Sequence, residues 1–199
     1  VQAFAWVFVS AVVAGLIFLY AVLLFTHNYA NPKSLSASAR FAKSMYLRFL
    51  AANIIVVLIT LVVSLIPIAG IVLAFVVALF FFFFQQEIAI SRSKAIESIS
   101  NSYNLFKKNK LDIFLGLLLS AVLGLVILLI FVIPLMVAGF FSLASVIRGM
   151  PFSQILATNM PTFVVTGLIL LVGISLAVLF THSIKTDVYM QMKKRKHVK

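Results

Sequence analysis

Cysteine is absent from the 199 residues, which excludes disulfides, a thiol nucleophile and thiolate metal ligands. Acidic residues are almost absent too, since Glu87, Glu97, Asp112 and Asp187 are all the chain has. Charged residues of either sign make up 10% of the sequence against 64% apolar ones, and no soluble domain is built that way. Catalytic signatures are missing as well. The serines are numerous, but none stands in a Gly-x-Ser-x-Gly turn, and there is no glycine-rich phosphate loop or protease motif. We therefore expect no enzyme activity and no cofactor. A secretory leader is not expected, because no basic segment precedes the first apolar run.

What the chain does have is base, and the base is confined. All but one of its sixteen Lys and Arg residues fall in three patches, 33–48, 92–110 and 185–199, and the exception is Arg148. Between the patches lie long uncharged windows, each exceeding the roughly 20 residues that cross about 30 Å of hydrocarbon. Apolar windows between basic loops indicate repeated membrane crossings with the basic loops kept in the cytoplasm. The net charge of +12 then suits the anionic cytoplasmic leaflet. Nucleic acid is not an expected partner, because no aromatic and basic reading surface accompanies the charge.

The expected fold class is all-α, one polytopic transmembrane bundle over residues 1–199 with five spans. The first span runs from about Ala3 to Phe25, and Asn31-Pro32 ends it. Residues 33–48 then alternate basic positions with Leu35, Ala39, Ala42, Tyr46 and Phe49, the pattern of an amphipathic helix on the membrane surface. Phe49–Gln86 is about 57 Å long if helical, too long for one crossing, and Ile66-Pro67-Ile68-Ala69-Gly70 divides it into a hairpin. Phe80–Phe84 reads as bulk at the end of the third span, with part of the run facing lipid.

A second amphipathic segment, 91–110, shows Ile96, Ile99, Tyr103 and Phe106 on one face. The fourth span is Leu111–Ile133 and the fifth Thr162–Ile184. Small residues recur every fourth position at Gly70, Ala74 and Ala78, and again at Gly116, Ser120 and Gly124, which lets helices approach closely. Leu135–Ile147 would reach only about 20 Å as a helix. Breaks at Pro134 and Pro161 make 135–161 an external re-entrant or interfacial segment, which also keeps all three basic patches on one side. A basic helix, a span and an Ile-Pro break occur twice, ending at Pro67 and Pro134. That suggests a weak internal repeat.

Phe81–Leu119 (FFFFQQEIAISRSKAIESISNSYNLFKKNKLDIFLGLLL) places Glu87, Ala95, Ser98, Ser102, Phe106, Lys107, Lys108 and Phe114 in a distinctive order. That order resembles the membrane domain attached to some prokaryotic glycerophosphoryl diester phosphodiesterases, and related stand-alone membrane proteins. The Ser34–Phe49 helix and the closing Asp187-Val188-Tyr189 before a basic tail fit the same pattern. The resemblance implies a six-span protein of the cytoplasmic membrane, with one further span before Val1. It carries no phosphodiesterase activity, because nothing here resembles the separate catalytic barrel.

Five polar residues are candidates for function. Glu87 stands at the end of a span beside Gln85 and Gln86, and an intramembrane carboxylate is a functional candidate by default; the structural alternative is an ion pair with the basic helix. Asp112 and His182 belong to a set of acids and histidines at the cytoplasmic boundary, together with His27. The plain reading of that set is pairing with Lys and Arg, because no His-x-x-x-His spacing supports a metal. Asn53 suits an interhelical hydrogen bond, and Arg148 suits an external anion or the end of a helix.

The function these features favour is a non-catalytic, multi-pass protein of the cytoplasmic membrane with its C-terminus inside. It would serve as a binding, assembly or regulatory module contacting anionic lipid, a partner protein or a second copy. The alternatives are a permease-like component working with a separate ATPase and, last, a lipid-modifying enzyme.

Overall fold

In the computed structural model the chain is described over residues 2–32, 34–67 and 69–196. Lys33, at the head of the first basic patch, Ile68 of the Ile-Pro break, and residues 197–199 of the tail lie outside that description, as does Val1. Among the described residues seven helices follow one another: α1 Gln2–Ala30, α2 Leu35–Ser64, α3 Ala69–Phe80, α4 Phe84–Ser91, α5 Ala95–Lys108, α6 Lys110–Ile147 and α7 Phe152–Lys196. No strand occurs among the described residues. Five stretches are long and apolar enough to cross a membrane, namely Phe8–Ala30, Leu35–Ser64, Ala69–Ser91, Lys110–Ile147 and Ala157–Lys194. Their outward faces are bare: Val62, Ile71, Leu125 and Leu168 are all exposed. Lipid is the solvent that such faces require.

The chain divides into two units, 1–118 with 182–199, and 119–181. In the first, α2 starts at Ser34, whose hydroxyl accepts the Ala37 amide at 3.3 Å. The amphipathic segment at its head is the first part of the same helix as the second span. It runs without a break into the span and lies along α1, where Tyr46 donates to Leu16 O of α1 (2.8 Å) and Tyr20 of α1 donates to Ala39 O (3.2 Å). Its buried face also differs from the expected one. Ser38, Phe41, Ala42 and Phe49 are covered, whereas Leu35 is exposed. The α2–α3 hairpin forms at the Ile-Pro break, and Gly70 is needed there. A Cβ on it would sit 3.0 Å from Val63 O and 3.1 Å from Ser64 O.

The phenylalanine run departs from expectation. The helix stops at Phe80, turns through residues 81–83, and restarts at Phe84. Instead of facing lipid, Phe82, Phe83 and Phe84 are buried, and Phe80 and Phe81 half-buried. Phe82 and Phe83 join Leu79, Leu105, Ile113, Tyr189 and Met192 in one apolar core. A break inside an apolar span needs its freed backbone groups satisfied, and Ser102 of α5 does this twice. Its hydroxyl accepts the Phe83 amide and donates to Phe80 O, both at 3.0 Å.

The second unit is an antiparallel helix pair. The last part of α6 and the first part of α7 are joined through Gly149, which takes the left-handed conformation (φ 81°) that ends α6. The two meet along small residues: Gly124 lies 3.4 Å from Thr181 Oγ1 if given a Cβ, Asn159 donates to Ser142 Oγ at 3.1 Å, and Gly173 lies against the Phe131 ring.

Residues 135–161 are thus not a separate element. They close α6 and open α7, with Pro134 and Pro161 inside continuous helix. Each proline costs one backbone hydrogen bond, a loss that apolar helices in membranes tolerate when neighbours compensate. The second copy of the supposed repeat therefore lacks its break. At 38 residues, α6 measures about 57 Å, nearly twice the hydrocarbon thickness.

The Gly173 contact gives a direct test of the second unit. A Cβ at this position would collide with Phe131, whereas Gly167 has open space. Gly173→Ala should destabilise the detergent-solubilised protein by about 1–3 kcal/mol, seen as a lower thermal midpoint, while Gly167→Ala leaves the midpoint unchanged.

Candidate functional site

The helix ends that carry the basic patches gather in the first unit, at the C-terminal end of α1, the head of α2, the whole of α4 and α5, the start of α6 and the last turns of α7. Side-chain bonds tie these ends together. Tyr29 donates to Asp187 Oδ2 at 2.9 Å, His27 meets Ser38 Oγ at 3.2 Å, and Ser91 and Tyr189 hydroxyls lie 2.6 Å apart. Lys193 also donates to Ser91.

Glu87 occupies the centre of this end. It is buried, and its Oε2 takes hydrogen bonds from Ser93 Oγ at 3.2 Å and Asn101 Nδ2 at 3.5 Å. Among the described residues no Lys or Arg pairs with it, so the expected ion pair gives way to neutral donors. The reason is local. α4 is capped by Arg92, the one non-glycine residue among those described with a left-handed backbone (φ 59°), and the tight turn brings Ser93 back over the carboxylate. Arg92 itself reaches over the Phe41 ring at 5.5 Å, away from any acid.

Beside Glu87 opens a hollow of about 630 Å³. α5 supplies one wall, and the spacing of Glu97, Asn101, Asn104 and Lys108 puts those four on one helical face, over an axial span of about 16 Å. Leu105 is the apolar part of the lining, and Ser91, Ser93 and Lys193 line it as well. Glu97 also accepts the Lys94 amide at 3.3 Å, which caps α5. Two carboxylates and two ammonium groups thus face one space.

The buried face of α5 is not the expected one. Ser98, Ser102 and Leu105 are covered, while Ile96 is exposed and Ile99 and Tyr103 half-exposed. Serines at two of the covered positions hid this face from a reading based on apolar periodicity.

The other candidate residues lie elsewhere. Asn53 accepts the Gln85 amide at 2.9 Å and donates to Phe49 O at 2.7 Å, tying α4 to α2. Asp112 sits in the first turn of α6, where a negative charge suits the positive end of the helix dipole. His182 is buried in α7, with Nδ1 unpartnered among the described residues. Arg148 is exposed in the second unit at the end of α6, remote in the chain from the hollow. Glu87 and Glu97 share the hollow, but no group of three metal-ligating side chains occurs among the described residues.

Sequence reading missed the Ser91–Tyr189–Lys193 contact because its members are about a hundred positions apart, and it missed Gln86. That side chain is fully buried, with both amide atoms unpartnered among the described residues. A serine bonded to a lysine invites comparison with Ser-Lys nucleophile pairs. Ser91, however, ends α4, and the negative end of a helix opposes an alkoxide and a developing oxyanion.

Long apolar helices with bare outer faces, closed at one end by polar side chains, define an integral membrane protein of the multi-pass helical class. Within it, the chain belongs to the family described as a domain of unknown function, DUF7847, whose model matches residues 2–192. Comparison with curated proteins and with solved structures finds no match.

Two substitutions probe the polar interior. Ser102→Ala removes both partners of the Phe80–Phe83 break and should cost about 1–3 kcal/mol, whereas Ala at exposed Ser100 leaves the midpoint alone; both are read by thermal unfolding in detergent. Gln86→Leu removes a buried amide without partners among the described residues, so the variant should be as stable as the parent or more stable by up to about 2 kcal/mol, read as an equal or higher thermal midpoint.

Proposed function

We propose that this protein is a non-catalytic binding module of the cytoplasmic membrane that holds anionic lipid through the basic helices at one end of its first unit. The observation that carries this reading is the placement of the bases. Arg40 and Lys43 on α2, Lys94 before α5 and Lys107 in its last turn are all exposed, on helices whose ends are gathered together. Exposed Ile96 on α5 supplies apolar contact beside them, and that combination of base and apolar surface grips an anionic interface.

Each basic side chain near such a surface contributes about 1 kcal/mol. By the same distribution, this end and the C-terminus lie in the cytoplasm. The likeness of residues 81–119 to the membrane domain of glycerophosphoryl diester phosphodiesterases supports an anchoring or assembly role, with a partner protein or a second copy alongside. The permease alternative is weaker, since the repeat and the broken segment that favoured it are replaced by a continuous α6.

The test uses the full chain in bilayers containing a brominated anionic lipid, with quenching of Trp and Tyr fluorescence as the readout. The parent should prefer anionic over zwitterionic lipid several-fold, and high salt should reduce that preference. Replacing Arg40, Lys43, Lys94 and Lys107 with Gln together should bring the ratio close to one. A parent protein that takes both lipids equally would refute the reading.

A further inference from the structure

We propose that the hollow beside Glu87 binds a small zwitterion that carries a primary ammonium and a phosphate a few bonds apart. Three features of the hollow carry this. Glu87 is a buried carboxylate whose partners among the described residues are all neutral donors, Ser93, Asn101 and Tyr189. Neutral donors leave the charge of a buried carboxylate uncompensated, which a cation would relieve, and no Lys or Arg among the described residues pairs with it. The carbonyl end of α4, one turn beyond Glu87 at Ser91, also lines the hollow, and that end of a helix favours positive charge. Opposite in sign, and in the same space, are Lys193 and Lys108.

Lys193 is positioned rather than loose. Its ammonium donates to Ser91 and lies 5.1 Å from the Tyr189 ring centre. Ser91 is one helical turn beyond Glu87, so acid and ammonium stand about 6 Å apart along α4. A ligand ammonium set on Glu87 would therefore place an attached phosphate within reach of Lys193, and Lys108 closes the far end of the α5 wall. Asn101 and Asn104 on that wall supply neutral hydrogen bonds between the two charged ends. An anion alone would face the like charge of Glu87, and a metal would need a cluster of acids and histidines that is not found among the described residues. The same headgroup chemistry occurs in a membrane aminophospholipid and in a free aminoalkyl phosphate. The site is separate from the exposed bases that grip the bilayer.

The experiment is calorimetric titration of the full chain, in phosphatidylcholine nanodiscs, with phosphoethanolamine. Saturable binding is expected, at least roughly tenfold tighter than that of inorganic phosphate, with Glu87→Gln and Lys193→Met each weakening it by about tenfold. Phosphocholine, whose quaternary ammonium has no N–H to give Glu87, should bind several-fold more weakly to the unaltered protein. That arm, together with Lys108→Met at an exposed position, keeps the claim testable if Glu87→Gln does not fold.

Repeating the titration in discs that contain phosphatidylethanolamine separates the sources. Lost heat identifies the lipid headgroup as occupant, and unchanged heat a free one. Inorganic phosphate binding as tightly as phosphoethanolamine, or no saturable heat in phosphatidylcholine discs, would overturn the proposal. Neutralising Arg40, Lys43, Lys94 and Lys107 should leave this titration unchanged, so the lipid-grip reading and the zwitterion site can fail separately.

Discussion

Backbone amides and carbonyls within hydrocarbon must find partners inside the chain, because lipid offers none. Most of this molecule meets that demand by being helix, at the cost of leaving long apolar faces bare. Irregular backbone is admitted only where side chains can serve it. The turn at 81–83 is the sharpest case, since it falls in an apolar run and is closed on both sides by one hydroxyl, that of Ser102. The turn in turn makes the site. Without it α4 would continue the third span along its own axis, and Glu87 would not lie under Ser93 and against α5.

The same constraint explains where the packing is dense. The large buried side chains Phe49, Phe83, Ile88, Ile113 and Tyr189 all belong to the first unit, and Phe83, Ile113 and Tyr189 share one apolar core. In lipid, burying apolar surface between helices gains little, because acyl chains are as apolar as leucine. Large side chains therefore converge where irregular backbone and polar groups need shielding. Elsewhere helices meet through small residues, as at Gly124 with Thr181 and Gly173 with Phe131, where contact comes from close approach.

The five apolar crossings, the α2–α3 hairpin and the gathering of basic segments were legible in the sequence, because charge exclusion and the Ile-Pro-Ile-Ala-Gly turn act locally. The helix break inside Phe80–Phe84 was not. Five identical apolar residues carry no periodicity, and the group that permits the break lies 19 positions on from Phe83. Pro134 misled in the opposite direction, because proline rules learned in water overstate its power inside an apolar helix. The hollow was half visible. Glu87 stood out as a carboxylate at the end of a span, but Lys193 and Ser91 come together only through the return of α7.

The charge economy of the chain gives the pairing at that end its weight. With only four acids against sixteen bases, and with retention of the loops set by Lys and Arg alone, each acid calls for a reason of its own. Asp112 serves a helix start, Asp187 accepts Tyr29 and Glu97 caps α5, so three acids have structural duties at exposed or half-exposed positions. Glu87 also holds a turn, yet a serine or asparagine could receive the Ser93 hydroxyl without bringing a full negative charge below the surface. Retaining the charge there, with ammonium groups nearby but none among the described residues paired to it, is the arrangement expected of a site whose missing counter-charge arrives with a ligand.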